Sequence, residues 1–103
     1  MLDYPELKMM AIELLDKSFD GDLLENYGPG RKYNAKTKLD AIEVTDLGRV
    51  AIVGRINNAM KLAAGSNWRD VRSVDTGNCT SIGDFIKLLC RHAKVAVLVG
   101  EPK

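Results

Sequence analysis

Near the end of this chain Ile82, Phe85, Ile86, Leu89, Ala93, Ala96 and Val97 recur at three- and four-residue intervals. Such a stripe lines one face of an α-helix, with about 3.6 residues per turn, and does not fit the alternating faces of a strand. The start is marked as well: Ser81-Ile82-Gly83-Asp84 approximates a capping box with Asp in the Glu/Gln position. Thr80 or Ser81 is expected to cap the helix. Arg91 and Lys94 lie toward its C-terminal half, where the helix dipole favours cations, and Gly100 and Pro102 make a stop. The β-branched valines of "KVAVLVG" allow a strand instead. Because the stripe stays in phase through Ala93 and Val97, the spacing predicts one helix over 80–99.

Three more segments read as helical. Pro5 follows Asp3 in a first turn, and Leu7, Met10, Leu14 and Ser18 align, with Ala11 and Leu15 widening the face, which predicts a helix over 4–20 ended by Gly21. Thr37-Lys38-Leu39-Asp40 is a second possible capping box, opening a short helix over 37–46. Val50, Val53, Ile56, Met60 and Ala63 predict a helix over 47–64, with Gly65 just past its end. Gly48 and Gly54 oppose that reading, each costing about 1 kcal/mol inside a helix. The alternative is an α+β fold, with "DAIEV" and "RVAIVG" paired as a hairpin within 40–54. Burial can outweigh two glycines, so the expected architecture is all-α: a single helical domain over 1–103, of three main helices and one short one.

Composition agrees with one soluble core. A chain of 103 residues suits one domain. Its 15 basic and 14 acidic residues leave a net charge of +1, with no global attraction to nucleic acid or an anionic membrane. The N-terminus "MLDYPELKMM" is acidic where a secretory signal would be positive, and the apolar run at Val95 is too short to span a bilayer. The expected location is cytoplasmic, with Cys79 and Cys90 reduced and unpaired.

Several constellations could carry chemistry. Cys79 lies beside a predicted helix N-terminus, where a thiol pKa can be depressed, but His92 falls about three turns along the same helix, roughly 18 Å from its start. A rigid helix keeps the two apart, so no Cys–His nucleophile is expected. Two cysteines and one histidine are too few for a structural zinc site. Asp70, Asp75 and Asp84 surround the cap, and Glu6, Glu13, Asp16, Asp20 and Asp22 lie on or after the first helix. The chain has no Glu-x-x-Glu or Glu-x-x-His pair of the kind that holds divalent metals in helical bundles. Capping and solvated roles are therefore expected, with no catalytic residue, metal or cofactor.

Two groups suit recognition. In "NYGPGRKYN", Tyr27, Arg31, Lys32 and Tyr33 surround a Gly28-Pro29-Gly30 turn, and Tyr and Arg are enriched at interface hot spots. On the third predicted helix, Arg55, Asn58 and Lys61 share a face with Asn57 beside them, and Arg69 and Arg72 follow Trp68. Arg and Asn read base edges, and Arg and Lys neutralise phosphates. The clean helix-turn-helix spacing is not met.

The order of a Tyr27-Gly28 pair, a Gly48-led helix carrying "R..NNAMKL", a loop closing on "SVDT" and a last long helix resembles all-α phage nucleotide-modification and MazG-like pyrophosphatase proteins. The resemblance covers roughly residues 23 to 99, with Arg55, Asn58, Lys61, Leu62, Asp75 and Thr76 at matching positions. It implies a helical body and metal-dependent hydrolysis of nucleotides. The departures fall on the metal site: Asn58 stands where the family has a metal-binding Asp, Ala59 where it has Lys, and Cys79 where it has the second Asp. What the resemblance then implies is a retained body and a lost hydrolase. The favoured expectation is a small non-enzymatic accessory or inhibitor protein, of phage or mobile-element type, that binds a protein partner. The other expectations are a MazG-like pyrophosphatase and a DNA-binding regulator. No membrane partner is expected, and the oligomeric state is left open.

Overall fold

The computed structural model describes residues 2–19 and 22–97. Among them are four helices: α1 (Tyr4–Ser18), α2 (Asp46–Ala64), α3 (Ser73–Gly77) and α4 (Ile82–Ala93). Short 3-10 turns lie at Leu24–Asn26, Leu39–Ile42 and Gly65–Asn67. The fold is all-α. No strand forms among the described residues, only isolated bridges between Tyr27 and Tyr33 and between Lys38 and Ser81. The hairpin alternative over 40–54 is not adopted, because Asp46 to Val53 belong to α2.

Helix α1 begins with a full capping box. The Asp3 carboxylate accepts from Glu6 N at 3.0 Å, and Glu6 Oε1 accepts from Asp3 N at 3.3 Å. It buries Tyr4, Leu7, Ala11, Ile12 and Leu15 and packs along α4. The helix ends at Ser18, and Gly21, the expected stop, lies outside the described residues. Phe19 then closes onto the start of α2. A Cβ at Gly48 would stand 2.7 Å from the Phe19 ring, so this glycine serves the crossing of two helices.

The short helix over 37–46 is a correction. Thr37 Oγ1 accepts from Asn34 N at 2.9 Å in a turn, Lys38 is extended, and helical geometry is confined to the 3-10 turn Leu39–Ile42. Glu43 then turns left-handed at φ 64°, and Thr45 must be extended to cap α2 by accepting from Gly48 N at 3.0 Å. A helix through 46 would consume that cap.

The core face of α2 is also corrected. Ile52, Ile56 and Met60 point inward together with Arg49, whereas Val50 is 53% exposed. Arg49 is buried as the tie between two loops. Its guanidinium donates to Val44 O at 2.9 Å and Cys79 O at 3.3 Å, with Asp46 and Asp40 at 3.6 and 3.7 Å. Thr76 of α3 donates to Arg49 O at 2.8 Å, which locks α3 onto α2.

Helix α4 starts where its cap requires and stops early. Lys94 adopts a left-handed conformation (φ 59°), and Val95 N returns to Cys90 O at 2.9 Å. The helix therefore does not reach Val97, and residues 98–99 lie outside the described residues. The cause is tertiary. Arg69 N donates to His92 O at 2.8 Å, so the segment after α2 takes a last-turn carbonyl that continued helix would have used. No buried side-chain nitrogen or oxygen among the described residues lacks a hydrogen-bond partner.

Candidate functional site

The Tyr27–Tyr33 loop is built on Leu23, which is fully buried, and on a series of local bonds. Asp16 Oδ1 accepts from Leu24 N at 3.0 Å, and Asn26 Nδ2 donates to Asp22 O at 2.7 Å. Tyr33 N donates to Asn26 O and Gly28 N to Tyr33 O, both at 2.9 Å, while Arg31 N closes the turn on Gly28 O at 3.1 Å. Gly28 (φ 144°) and Gly30 (φ 71°) occupy conformations that other residues rarely adopt. These bonds define the shape of the loop.

That closure sorts the four sequence candidates. Tyr33 folds inward to 6% exposure, and its hydroxyl donates to Asp22 Oδ1 at 3.3 Å. Lys32 covers the Tyr33 ring at 5.0 Å and pairs with Asp22 at 3.5 Å. Arg31 is exposed and donates to Glu25 O at 2.8 Å. Tyr27 stays half-buried against α1, with Lys8 Nζ 5.8 Å from its ring centre. Burial raises the Tyr27 pKa and lowers that of Lys8.

Between this loop and the first turns of α1 lies an open cleft of about 370 Å³, lined by Tyr4, Pro5, Lys8, Met9 and Ile12 on one side and Leu24, Tyr27, Gly28 and Pro29 on the other. Met9 and Leu24 are 49% and 41% exposed. The cleft is mainly hydrocarbon, with one ammonium group in its wall. Sequence reasoning reached Tyr27 but missed Tyr4, Lys8, Met9 and Leu24. For Tyr4 and Met9 the only signal was that α1 is apolar over more than one face, and for Lys8 and Leu24 there was none.

The second candidate group stands elsewhere. Arg55, Asn58 and Lys61 are all exposed on α2. Arg55 reaches back to Ser18 Oγ at 3.2 Å, at the far end of α1 from the cleft, and Lys61 pairs with Asp70 at 3.5 Å. Asn58 lies between them. Its neighbour Asn57 does structural work that the sequence did not reveal: its amide donates to Val71 O at 3.1 Å and accepts from Val71 N at 2.9 Å and Trp68 Nε1 at 3.1 Å. His92 Nδ1 donates to Arg69 O at 2.6 Å and its ring lies 5.8 Å from that of Trp68. Asn57 and His92 together hold the segment that carries Arg69 and Arg72.

The stretch "SVDTGNCTSIGDF" is committed to capping. Ser81 Oγ accepts from Asp84 N at 3.1 Å, while Asp84 Oδ2 accepts from Thr80 Oγ1 at 2.8 Å, Thr80 N at 3.1 Å and Ser81 N at 3.2 Å. Ile82 N and Gly83 N, the next free donors, meet Thr37 O and Ala35 O at 3.0 and 2.8 Å. Chain oxygens thus fill the N-terminus of α4. The bonds from Thr80, its hydroxyl first, hold the Asp84 carboxyl below its ordinary pKa. Asp75, at a matching position of the pyrophosphatase resemblance, accepts from Arg72 N at 2.9 Å, and that bond lowers its pKa.

Burial pushes the Cys79 thiol up to about 11, helped by the Asp84 charge, and Cys90 likewise to about 11. Both cysteines are buried and unpaired. Cys79 Sγ points at Asp75 O, 3.7 Å away. Burial thus favours the protonated thiol, the less nucleophilic form, at both positions. Among the described residues no group of three or more His, Cys, Asp and Glu side chains gathers in a form that could hold a metal ion, and no helix is long and apolar enough to cross a membrane.

No family model, curated protein or solved structure matches this chain. The functional reading rests on its own geometry.

Proposed function

We propose that this chain is a small non-enzymatic accessory or inhibitor protein of the cytoplasm, which binds a protein partner through the cleft between α1 and Tyr27–Pro29. The observation that carries this reading is the cleft itself: an apolar concavity with Met9 and Leu24 open to solvent and Tyr27 half-buried in its wall. An amphipathic aromatic ring in an apolar pocket is the usual anchor of an interface. Lys8 in the wall and Arg31 on the adjoining turn favour a partner segment with an apolar side chain flanked by acids. Two buried, unpaired thiols support a reducing compartment.

The test is capture from host lysate with wild-type bait and with Leu24→Glu and Tyr27→Ala baits, each checked for unchanged helical circular dichroism. The expected result is one protein species retained by the wild type and lost by both variants, with binding weakened by about 2 kcal/mol for a hot-spot tyrosine and further by salt. Equal capture by the variants would move the site off this cleft. Tyr33 is unsuited to such a test, since its side chain belongs to the core. Nuclease-sensitive capture would favour the DNA-binding regulator. Metal-dependent release of pyrophosphate from nucleoside triphosphates, lost in Asp75→Asn, would install the MazG-like hydrolase.

A further inference from the structure

The charges of this chain are segregated along it. Residues 1–48 carry ten acidic and six basic side chains, whereas residues 49–97 carry eight basic and three acidic ones. A nearly neutral whole thus divides into an acidic half and a basic half. Helix α4 shows the basic half most plainly. Of its 12 residues only Lys87 and Arg91 are exposed. They stand four positions apart, one above the other on the helix surface, where like charges repel. Lys94 follows at the helix end and is exposed too. Arg91 gains from the C-terminal end of the helix dipole, but Lys87 lies too far back to share in it.

The segment after α2 brings two more cations to this face. Arg69 N donates to His92 O at 2.8 Å, and His92 Nδ1 donates to Arg69 O at 2.6 Å. Arg69 is thereby pinned against the last turn of α4, the turn that carries Arg91. Arg72 comes next, and the two groups meet around α3. Cys79 Sγ lies 3.7 Å from Asp75 O, and the Cys79 pKa, raised by burial and by Asp84, is lowered in part by the charge of Arg91. The Asp75 pKa is lowered by the bond from Arg72 N and then by the charges of Arg72 and Arg69. The acids nearby are engaged: Asp70 pairs with Lys61 at 3.5 Å, Asp75 with Arg72 Nε at 3.7 Å, and Asp84 holds the cap. Among the described residues none forms an ion pair with Arg69, Lys87, Arg91 or Lys94.

We propose that the face formed by Lys87, Arg91, Lys94 and Arg69, with Arg72 at its edge, binds the phosphate backbone of duplex DNA without reading its sequence. The make-up of the face selects this partner. A protein interface is built around a centre depleted of charge, and α4 exposes cations alone. A single strand is held by stacking its bases on aromatic rings, but the nearby Trp68 is 8% exposed, with its Nε1 bonded to Asn57. An RNA duplex is recognised by shape over about 16 base pairs, whereas Lys87 to Lys94 spans roughly 10 Å of helix. Lysine and arginine with no exposed amide or hydroxyl from α4 among them meet phosphates and leave base edges unread. This contact goes beyond the protein contact of the cleft, none of whose lining residues belongs to it.

Fluorescence anisotropy of a labelled, mixed-sequence DNA duplex of about two helical turns, titrated with the intact chain, tests this. Four phosphate contacts predict a slope of about −3.5 for log association constant against log salt concentration, or roughly a hundredfold loss between about 50 and 200 mM salt. A Lys87→Ala, Arg91→Ala double variant should reduce that slope by about 2, Lys87→Gln alone by about 1, and each should weaken unrelated sequences alike. Both positions are exposed on a helix and alanine is a strong helix former, so helical signal and urea midpoint should be no lower than wild type. Lys17→Ala, exposed on α1, should bind as wild type does. A slope near zero, an unchanged slope in the folded variants, an equal loss in Lys17→Ala, or binding at least as tight to single-stranded DNA or an RNA duplex would each overturn the assignment. So would polyglutamate that displaces the DNA at equal charge concentration, which would give the face to an acidic protein instead.

Discussion

Helices α4 and α2 both cross the core, but they are built on different plans. In α4 the apolar residues Ile82, Phe85, Ile86, Leu89 and Ala93 are inside, and Lys87 and Arg91 face solvent. One face is apolar, and that face is buried. In α2 leucine, valine and alanine also occupy the outer side, while an arginine and an asparagine do the anchoring at its inner edge. A helix of the first kind has one way to lie on a core. A helix of the second kind has several, and its orientation is chosen by which polar side chains find buried partners.

Substitutions can break or sharpen that contrast. The largest difference is expected between leucines: Leu89→Ala should cost about 3 kcal/mol in urea unfolding, because a fully buried side chain leaves a cavity. Leu62→Ala, in dilute solution, should stay within about 0.5 kcal/mol. Equal costs would mean that α2 is buried on both sides. Next come the adjacent asparagines. Asn57→Ala removes three hydrogen bonds, leaves the Val71 backbone unpaired, and should lose about 2 kcal/mol, whereas Asn58→Ala should be near neutral. Equal costs for the two would refute the placement of the 65–72 segment.

Alanine at the helical glycines should act with opposite signs. Gly83→Ala forces a Cβ against Ala35 O and is expected to cost roughly 1–2 kcal/mol, while Gly54→Ala in dilute solution should gain up to about 1 kcal/mol. A loss at Gly54 would point to a contact that its added methyl group disturbs. The smallest effects lie at the caps. Ser81→Ala and Thr45→Ala should each cost about 1 kcal/mol, so any large inequality would trace the contrast to helix ends rather than faces. Acid separates the two. The folded pKa of Asp84 is depressed, so its contribution is present above the ordinary carboxylate value and is lost as pH falls through the folded one. The cost of Asp84→Ala should shrink on acidification, and that of Thr45→Ala should not. A pH-independent Asp84→Ala cost would remove the carboxylate from the cap.

How much was legible follows the same division. The capping box at Ser81 to Asp84 and the stripe from Ile82 to Ala93 were readable, because both are local patterns whose physics needs no neighbour. The similar motif at Thr37 to Asp40 misled, since a capping box requires the following residues to be free to turn helical. Here Leu39 N is engaged by Thr80 O, and Thr45 is needed to cap α2. In the loop, the residue types expected at an interface were visible, but whether each ring faced in or out was not. Tyr33 went inside because Asp22 offered its hydroxyl a partner, and Tyr27 stayed at the edge beside Lys8.

The order of residues alone predicts an all-α chain with helices over 4–20, 37–46, 47–64 and 80–99, and the first, third and last form as Tyr4–Ser18, Asp46–Ala64 and Ile82–Ala93, because apolar period, caps and breakers act within a few residues of one another. Contacts distant in sequence decided the rest. Cys79 O and Val44 O brought Arg49 into the core in place of Val50, and Arg69 on His92 O ended α4 before its apolar stripe did. The cleft of Tyr4, Met9, Leu24 and Tyr27 exists only because the turn at Gly28 to Arg31 is laid over α1. Local patterns set which segments coil. Buried polar groups, which must find partners wherever the chain offers them, set how the coils face one another.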